Sequence, residues 1–260
     1  MRSIKNFQQE VREKVGGDFC GERSHWDASL EYIWISTLCR ILIGIHRYQH
    51  GGAVLISDDS SHLKPKYSIT YGRLADALIR AGVLSIENTS YDDAIFEQYV
   101  DKKADEIPVD LYLDEVVTGN ELRDTEDELT GCVRFLASLS RVDGLIWLDS
   151  SLKLGAFGVE ISVREDPDRA FLAQNPLGTR TNELNLNDYG MRHRSMLRYC
   201  GAYPESVGFI VSQDGNVRAV TKTDKGVSLW DNVQIKFSET ITITRPKQKY
   251  RKISQHLYNG

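Results

Sequence analysis

The chain has 260 residues, of which 41% are hydrophobic, so it is long enough to bury one large core or two small ones. Its formal net charge is −5, and this acidic balance argues against nucleic acid as the main partner, because phosphate backbones are bound by basic surfaces. The four cysteines form no CxxC pair, which argues against a zinc site and against a disulfide framework; they are Cys20, Cys39, Cys132 and Cys200.

The first part of the chain is predicted to be mainly helical. Residues 3–15 have the spacing of a short amphipathic helix, and a second helix is predicted from Asp27 to about Tyr48. Its apolar stretch 32–45 contains a charged arginine and is too short to span a membrane, so we expect a buried helix. Residues 1–15 carry charges throughout and no apolar signal-peptide region, so we expect a cytoplasmic protein without a membrane partner.

A short buried strand is predicted at 53–57, followed by a polar loop at 58–66 and a helix at 71–82 that ends at Gly82. The strongly acidic stretch from 101 to 130 has two interpretations. A solvated loop or exposed helix face is favoured, because its carboxylates lack the fixed spacing of a metal-binding cluster.

The second part of the chain mixes helices and strands. A helix is predicted at 130–142, then two strands joined by a tight turn at 149–151, then an irregular region at 164–189. A helix carrying Met196, Leu197 and Tyr199 precedes three strands, which are predicted at 206–212, 215–222 and 233–244. Because the order is not strictly β-α-β, we expect an α+β (mixed α/β) fold: a single domain with a central mixed β-sheet flanked by helices.

Two short motifs are the candidates for chemistry. Asp143 and Gly144 lie where a predicted helix meets a buried strand, and such an aspartate either caps backbone donors in a turn or holds a cation. Residues 190–194 read Gly-Met-Arg-His-Arg at a helix start, where free N–H groups and arginine side chains suit a phosphate. Alone, this triplet is also typical of a solvated basic helix end.

Together the two motifs resemble the diadenylate cyclase family. The resemblance rests on "DGLIWLDSSLKLGAFG" (143–158), "GMRHRSM" (190–196) and "VGFIVSQDGNVRAVTK" (207–222), and more loosely on "HGGAVLIS" (50–57). It divides the chain into an N-terminal helical arm (1–27), a nucleotide-binding domain (28–240) with an acidic insertion near 85–130, and a basic C-terminal tail (241–260). The family usually has Ala after Asp-Gly and Thr before Arg-His-Arg, where this chain has Leu145 and Met191.

The resemblance implies an enzyme that condenses two ATP molecules into cyclic di-AMP at the interface of a homodimer. Asp143 would be catalytic and would hold Mg²⁺ or Mn²⁺, and the other expected catalytic residues are Arg192, His193 and Arg194. The expected nucleotide-binding residues are Gly144, Leu145, Gly190, Met191, Ser212 and Gln213. The alternative is an inactive sensor of a nucleotide in a bacterial signalling or defence system, which the departures at Leu145 and Met191 favour.

Overall fold

Nine β-strands form one mixed sheet in the computed structural model, which describes residues 2–15, 23–104 and 106–235. The strands are β1 (Gly52–Ile56), β2 (Leu63–Tyr71), β3 (Leu145–Leu148), β4 (Leu154–Ile161), β5 (Ala170–Ala173), β6 (Thr181–Glu183), β7 (Val207–Val211), β8 (Val217–Thr223) and β9 (Gly226–Trp230). The α-helices are α1 (Arg2–Val15), α2 (Arg23–Arg47), α3 (Arg73–Ile95), α4 (Val109–Ser138) and α5 (Met191–Ala202).

The strand order is β2-β4-β3-β1-β7-β8-β9-β5-β6. The pairs β1–β3 and β5–β9 are parallel, and the other neighbouring strands are antiparallel. All five residues of the central strand β1 are buried, because helices cover the sheet on both faces there. This architecture confirms the predicted α+β class and its central mixed sheet flanked by helices.

The two faces of the sheet have separate cores. Helices α1 to α4 cover one face, where side chains such as Trp34, Leu78 and Leu136 pack on Val54 and Ile146 of the sheet. Helix α5 covers the other face, where its buried side chains are Met196, Leu197, Tyr199 and Cys200.

Helix α2 is long and apolar enough over Trp26–Arg47 to cross a membrane by length and composition. One side of it nevertheless packs against the sheet and the neighbouring helices, with Leu30, Trp34, Leu38, Ile41, Leu42 and Ile45 buried, while Tyr32 and Ile35 are exposed. This packing is that of a core helix, as the sequence predicted.

Several predicted boundaries are wrong in the first half. Strand β2 begins at Leu63, inside the predicted loop 58–66, and it is an edge strand whose exposed residues hide the usual alternation. Helix α3 continues past Gly82 to Ile95. Gly82 is buried where α1 and α2 approach closely, and a Cβ there would lie 2.9 Å from Cγ2 of Val11, so the glycine serves packing and not termination.

The acidic stretch 101–130 lies largely on helix α4, which begins at Val109 and not near 130 as predicted. The favoured interpretation of an exposed helix face holds from Val109 onwards. One carboxylate on this helix, Glu128, pairs with the basic residues Arg73 and Arg80 of α3 at 2.5 Å each. These pairs connect the two antiparallel helices along their solvent side.

The region 164–189, predicted to be irregular, contains the short strands β5 and β6 at the far edge of the sheet. The tight turn at 149–151 is confirmed, with the N–H of Leu152 donating to the carbonyl of Asp149 at 3.0 Å. Residues 233–235 are not in a strand, and the remainder of the predicted strand 233–244, the basic tail 241–260 and Cys20 lie outside the described residues.

Candidate functional site

The two motifs meet at one end of the sheet, on the face covered by α5. At this end β1, β3 and β8 begin and β7 and β9 finish, as the pairs Gly52↔Val211 and Ala219↔Trp230 show. Asp143 and Gly144 directly precede β3, and α5 begins nearby after Gly190. The carboxylate of Asp143 lies 3.9 Å from the guanidinium of Arg192, which joins motifs that are far apart in the sequence.

Backbone conformation fixes the position of Asp143. Gly144 has a φ of +121°, and a Cβ at this residue would lie 2.4 Å from the carbonyl carbon of Gly158 on β4. Only glycine fits this conformation and this close approach. The next residue, Leu145, is buried in the core beneath α5, so it is a packing residue of the fold.

The side chain of Asp143 is 89% exposed and faces two cations. Besides Arg192, the ammonium of Lys66 on β2 lies 3.8 Å from the carboxylate and donates a hydrogen bond of 3.3 Å to the Asp143 carbonyl. The same ammonium lies 3.5 Å from Glu160. Within the described part of the chain, the Asp143 carboxylate accepts no hydrogen bond from a backbone N–H, so it does not serve as the turn cap considered from the sequence.

The first turn of α5 is open to solvent. Gly190 has an extended backbone, and a Cβ placed there would have no atom within 4 Å. Among the described residues no side chain caps this helix start, and the N–H groups of His193 and Arg194 both donate to the Gly190 carbonyl at 3.1 Å. The N–H groups of Met191 and Arg192, at the positive end of the helix dipole, are left for a ligand. The first helical residue, Met191, has 79% of its surface exposed. Backbone and space at this helix start therefore allow an anion to approach.

The three residues of the Arg-His-Arg triplet point in different directions. Arg192 is exposed and reaches Asp143, whereas His193 is half-buried and lies against β8. The Nε of Arg194 is buried and makes no hydrogen bond to any residue that the structure describes. A buried guanidinium nitrogen without a partner is costly. Because this nitrogen is closed to solvent, a ligand could bond to it only after the side chain moved.

His193 lies in a network that the sequence motifs did not reveal. Its Nε2 is 3.3 Å from the guanidinium of Arg218 on β8, and Arg218 Nε forms an ion pair of 2.7 Å with Asp231. The ring of Tyr189 lies 5.7 Å away. Burial lowers the pKa of His193, and the positive charges of Arg218 and Arg192 lower it further, with Asp231 opposing them.

One sequence signal pointed to Arg218. In the strand 215–222, alternation places residue 218 on the same face as Val220, which is buried beneath α5. A charged side chain at such an inward position needs a partner or a ligand. Lys66 and Asp231 gave no comparable signal, because each lies in a polar context that is typical of a surface.

Ser212 and Gln213 lie at the same end of the sheet, in the turn between β7 and β8. The hydroxyl of Ser212 bonds within the turn, to the Asp214 carboxylate and at 2.9 Å to the Asn216 carbonyl. Gln213 is exposed. Neither contacts the triplet within the described residues, so the structure brings Asp143 and the helix start together and leaves these two residues at the margin.

The donor set around Asp143 suits a metal that arrives with its ligand. The described residues contain no group of three His, Cys, Asp or Glu side chains that could hold a metal ion by themselves. Mg²⁺ is commonly bound by one or two carboxylates, with substrate phosphates and water completing its shell. The exposed Asp143 carboxylate fits that role, with Glu160 sharing the neighbouring Lys66.

Two clefts lie away from the site. A cleft of about 380 Å³ lies at the other end of α5, around Arg198 and Lys222, and one of about 580 Å³ lies beside Ser57 and Tyr203. Neither is lined by Asp143 or by the Arg-His-Arg triplet. No protein-family model matches the sequence, and the search of curated proteins finds no match either.

Proposed function

We propose that the chain is an adenine-nucleotide-binding protein of the diadenylate cyclase type, which condenses two ATP molecules into cyclic di-AMP. The observation that carries the proposal is the 3.9 Å approach of Asp143 to Arg192 at the uncapped start of α5. The Asp-Gly and Arg-His-Arg motifs are the two segments through which this sequence resembles that family. Their convergence is what a shared nucleotide site requires.

The helix start would bind the triphosphate. The N–H groups of Met191 and Arg192 and the guanidinium groups of Arg192 and Arg194 would supply hydrogen bonds to phosphate oxygens. The Nε of Arg194 is closed to solvent, so this guanidinium would reach a phosphate only by turning outwards when the ligand binds. Gly190 leaves room for the ligand to approach the backbone, because no atom lies within 4 Å of where a Cβ would stand.

Asp143 would act at the reacting hydroxyl. The 3′-hydroxyl of one ATP attacks the α-phosphate of the other, the bond to pyrophosphate breaks, and two such steps close the ring and release two pyrophosphates. A divalent metal bound with the nucleotide would lower the pKa of the attacking hydroxyl and neutralise phosphate charge. Asp143 would hold that ion, and the arginine residues would orient the phosphates for in-line attack.

One chain presents half of such a reaction. The site is open and exposed, so a second copy carrying the other ATP would close over it, and we propose a homodimer as the active form. We also propose that the protein acts in the cytoplasm, where ATP is available, and that it has neither a membrane nor a nucleic-acid partner. The charge of −5 supports the last point.

The test is incubation with ATP and Mn²⁺ or Mg²⁺, followed by chromatographic separation of the products. We expect cyclic di-AMP from the unmodified chain and none from Asp143→Asn, since asparagine has a similar shape but lacks the charge that holds a hard cation. Asp166→Asn is the matched control, because Asp166 is an exposed carboxylate paired with Arg198 away from the site. Equal turnover by the Asp143→Asn variant would contradict the proposed role.

A second function, nucleotide sensing without turnover, is favoured by one feature. Lys66 places an ammonium 3.8 Å from the Asp143 carboxylate, where it can take the place of a catalytic metal. Met191→Thr separates the two functions by restoring the hydroxyl that the family usually has. A cyclase should gain up to about tenfold in turnover from one added hydrogen bond. A sensor should show no turnover and a changed nucleotide preference.

A further inference from the structure

The contact between Arg218 and His193 fixes the chemical form of the histidine. A guanidinium group carries only hydrogen-bond donors and stays protonated in proteins. In a hydrogen bond across the 3.3 Å between Arg218 and His193, the Nε2 of His193 can only be the acceptor, that is, a nitrogen without a proton. The ring is then neutral, and its single N–H is on Nδ1.

Arg218 is itself held in place from two sides. It extends from β8 in the middle of a run of paired strands, and its Nε lies 2.7 Å from the carboxylate of Asp231, which directly follows β9. The two form an ion pair without the alignment of a hydrogen bond. Only 22% of its side chain is exposed, so the pair is partly shielded from solvent and salt. The guanidinium is thus supported by two neighbouring strands rather than by a mobile loop.

We propose that Arg218, held by Asp231, is a positioning residue that keeps His193 as a neutral Nδ1–H donor. The inference rests on the proposed function and names its ligand class. The site takes a phosphate-bearing anion, which His193 recognises by donating one hydrogen bond and not by contributing a charge. The permanent cations of the motif are then Arg192 and Arg194, with Arg218 behind the histidine.

The surroundings of the ring agree with a neutral form. In the part of the chain that the structure describes, the groups that interact with His193 are Tyr189 from the preceding segment, Arg192 on its own helix, Arg218 from β8 and Asp231 after β9. Burial and the two arginine charges lower its pKa, and the single carboxylate of Asp231 opposes them. Protonation of the ring on binding would require breaking the bond from Arg218, so ligand affinity should not follow histidine titration.

Nuclear magnetic resonance of the full chain with isotopically labelled histidine tests the inference without any ligand. Long-range proton–nitrogen spectra distinguish the two neutral tautomers and the charged ring, and His193→Gln assigns the signal. We expect the Nδ1–H tautomer in the unmodified protein, persisting to a pH below the usual histidine pKa of about 6.5. A charged ring at neutral pH, or a proton on Nε2, would overturn the proposal.

Arg218→Met supplies the second readout, with Arg198→Met as its matched control. Arg198 has a similar exposure of 26% and a similar ion pair of 2.6 Å with Asp166, but it lies away from the site. In Arg218→Met we expect the His193 pKa to rise and ATP affinity to become stronger as the pH falls from about 7.5 to 5.5. The unmodified protein and Arg198→Met should show neither effect.

The outcomes distinguish a failure of the proposed nucleotide function from a failure of the proposed role of Arg218. If ATP binds to none of the proteins at any pH, the proposed nucleotide function fails, while the spectra still decide the state of His193. If ATP binds and the His193 signal is the same in Arg218→Met as in the unmodified protein, the positioning role of Arg218 is wrong and the nucleotide site stands.

Discussion

The two motifs of the candidate site use their glycines in opposite ways. Gly144 has a φ of +121° and a neighbouring backbone 2.4 Å from where its Cβ would lie. Gly190 has an extended conformation and open space around it. The first glycine is required by the fold, whereas the fold places no steric demand on the second.

The same contrast extends to the neighbouring residues. Leu145, which follows Gly144, is buried in the core beneath α5, but Met191, which follows Gly190, has 79% of its surface exposed. The Asp-Gly-Leu segment is thus an interior turn from which one carboxylate projects. The start of α5 is an exposed surface that a ligand can contact. Substitutions in the two segments should therefore differ in their effect on stability.

The largest difference in stability is expected between alanine substitutions of the two glycines. Gly144→Ala should lower the free energy of unfolding by about 4 kcal/mol, because backbone strain and overpacking act together. Gly190→Ala should cost less than about 1 kcal/mol, the difference between a good and a poor N-cap residue. Urea unfolding of both variants measures this. If Gly190→Ala lowers the free energy of unfolding as much as Gly144→Ala does, the two glycines do not differ in their structural roles.

Substitutions of the residues that follow the two glycines, Leu145 and Met191, should differ slightly less in their effect on the free energy of unfolding. Leu145→Ala opens a cavity in the core beneath α5 and should lower the free energy of unfolding by about 3 kcal/mol. Met191→Ala should change it by no more than about 0.5 kcal/mol, because the side chain is exposed. Thermal unfolding of the two variants provides the comparison. A substantial loss for Met191→Ala would show that the start of α5 is buried against something.

The smallest expected effect is a pH dependence of folding stability, which arises from His193 in the second motif. The pKa of His193 is lowered in the folded protein, chiefly by burial. As the pH falls below the unfolded value of about 6.5, the unfolded chain therefore takes up a proton at this residue before the folded chain does. Folding stability declines in that window, down to the folded pKa, and His193→Gln should decline less. Denaturant titrations measure the stability of both proteins across this pH range. Equal losses of stability in the unmodified protein and in His193→Gln would contradict this prediction.

Much of the fold could be predicted from local patterns. The apolar periodicity of residues 3–15, the apolar stretch within 27–48 and the run at 53–57 predicted α1, α2 and β1, because each carries its own local signal. The predicted helix end at Gly82 was wrong, since a glycine that permits close helix packing has the same sequence signature as a helix stop. Strand β2 was missed in part because an exposed edge strand has no buried face to produce alternation.

The site could be predicted only where a motif carries it. The Asp-Gly and Arg-His-Arg segments were found from the sequence, and their meeting at 3.9 Å is a property of the fold. Lys66 and Asp231 reach the site from β2 and from the end of β9, through strand register that no local pattern encodes. Partners of this kind become visible only when the sheet order is known.

Calorimetric titration with ATP tests the central claim, that the start of α5 beside Asp143 binds a nucleotide. We expect binding to the unmodified chain and a loss of about 1.5 to 3 kcal/mol in Arg192→Ala, the scale of a charge-assisted hydrogen bond. Arg198→Ala, which removes an arginine from the same helix away from the site, should bind ATP as the unmodified chain does. Unchanged affinity in Arg192→Ala would contradict the account and place any nucleotide site elsewhere.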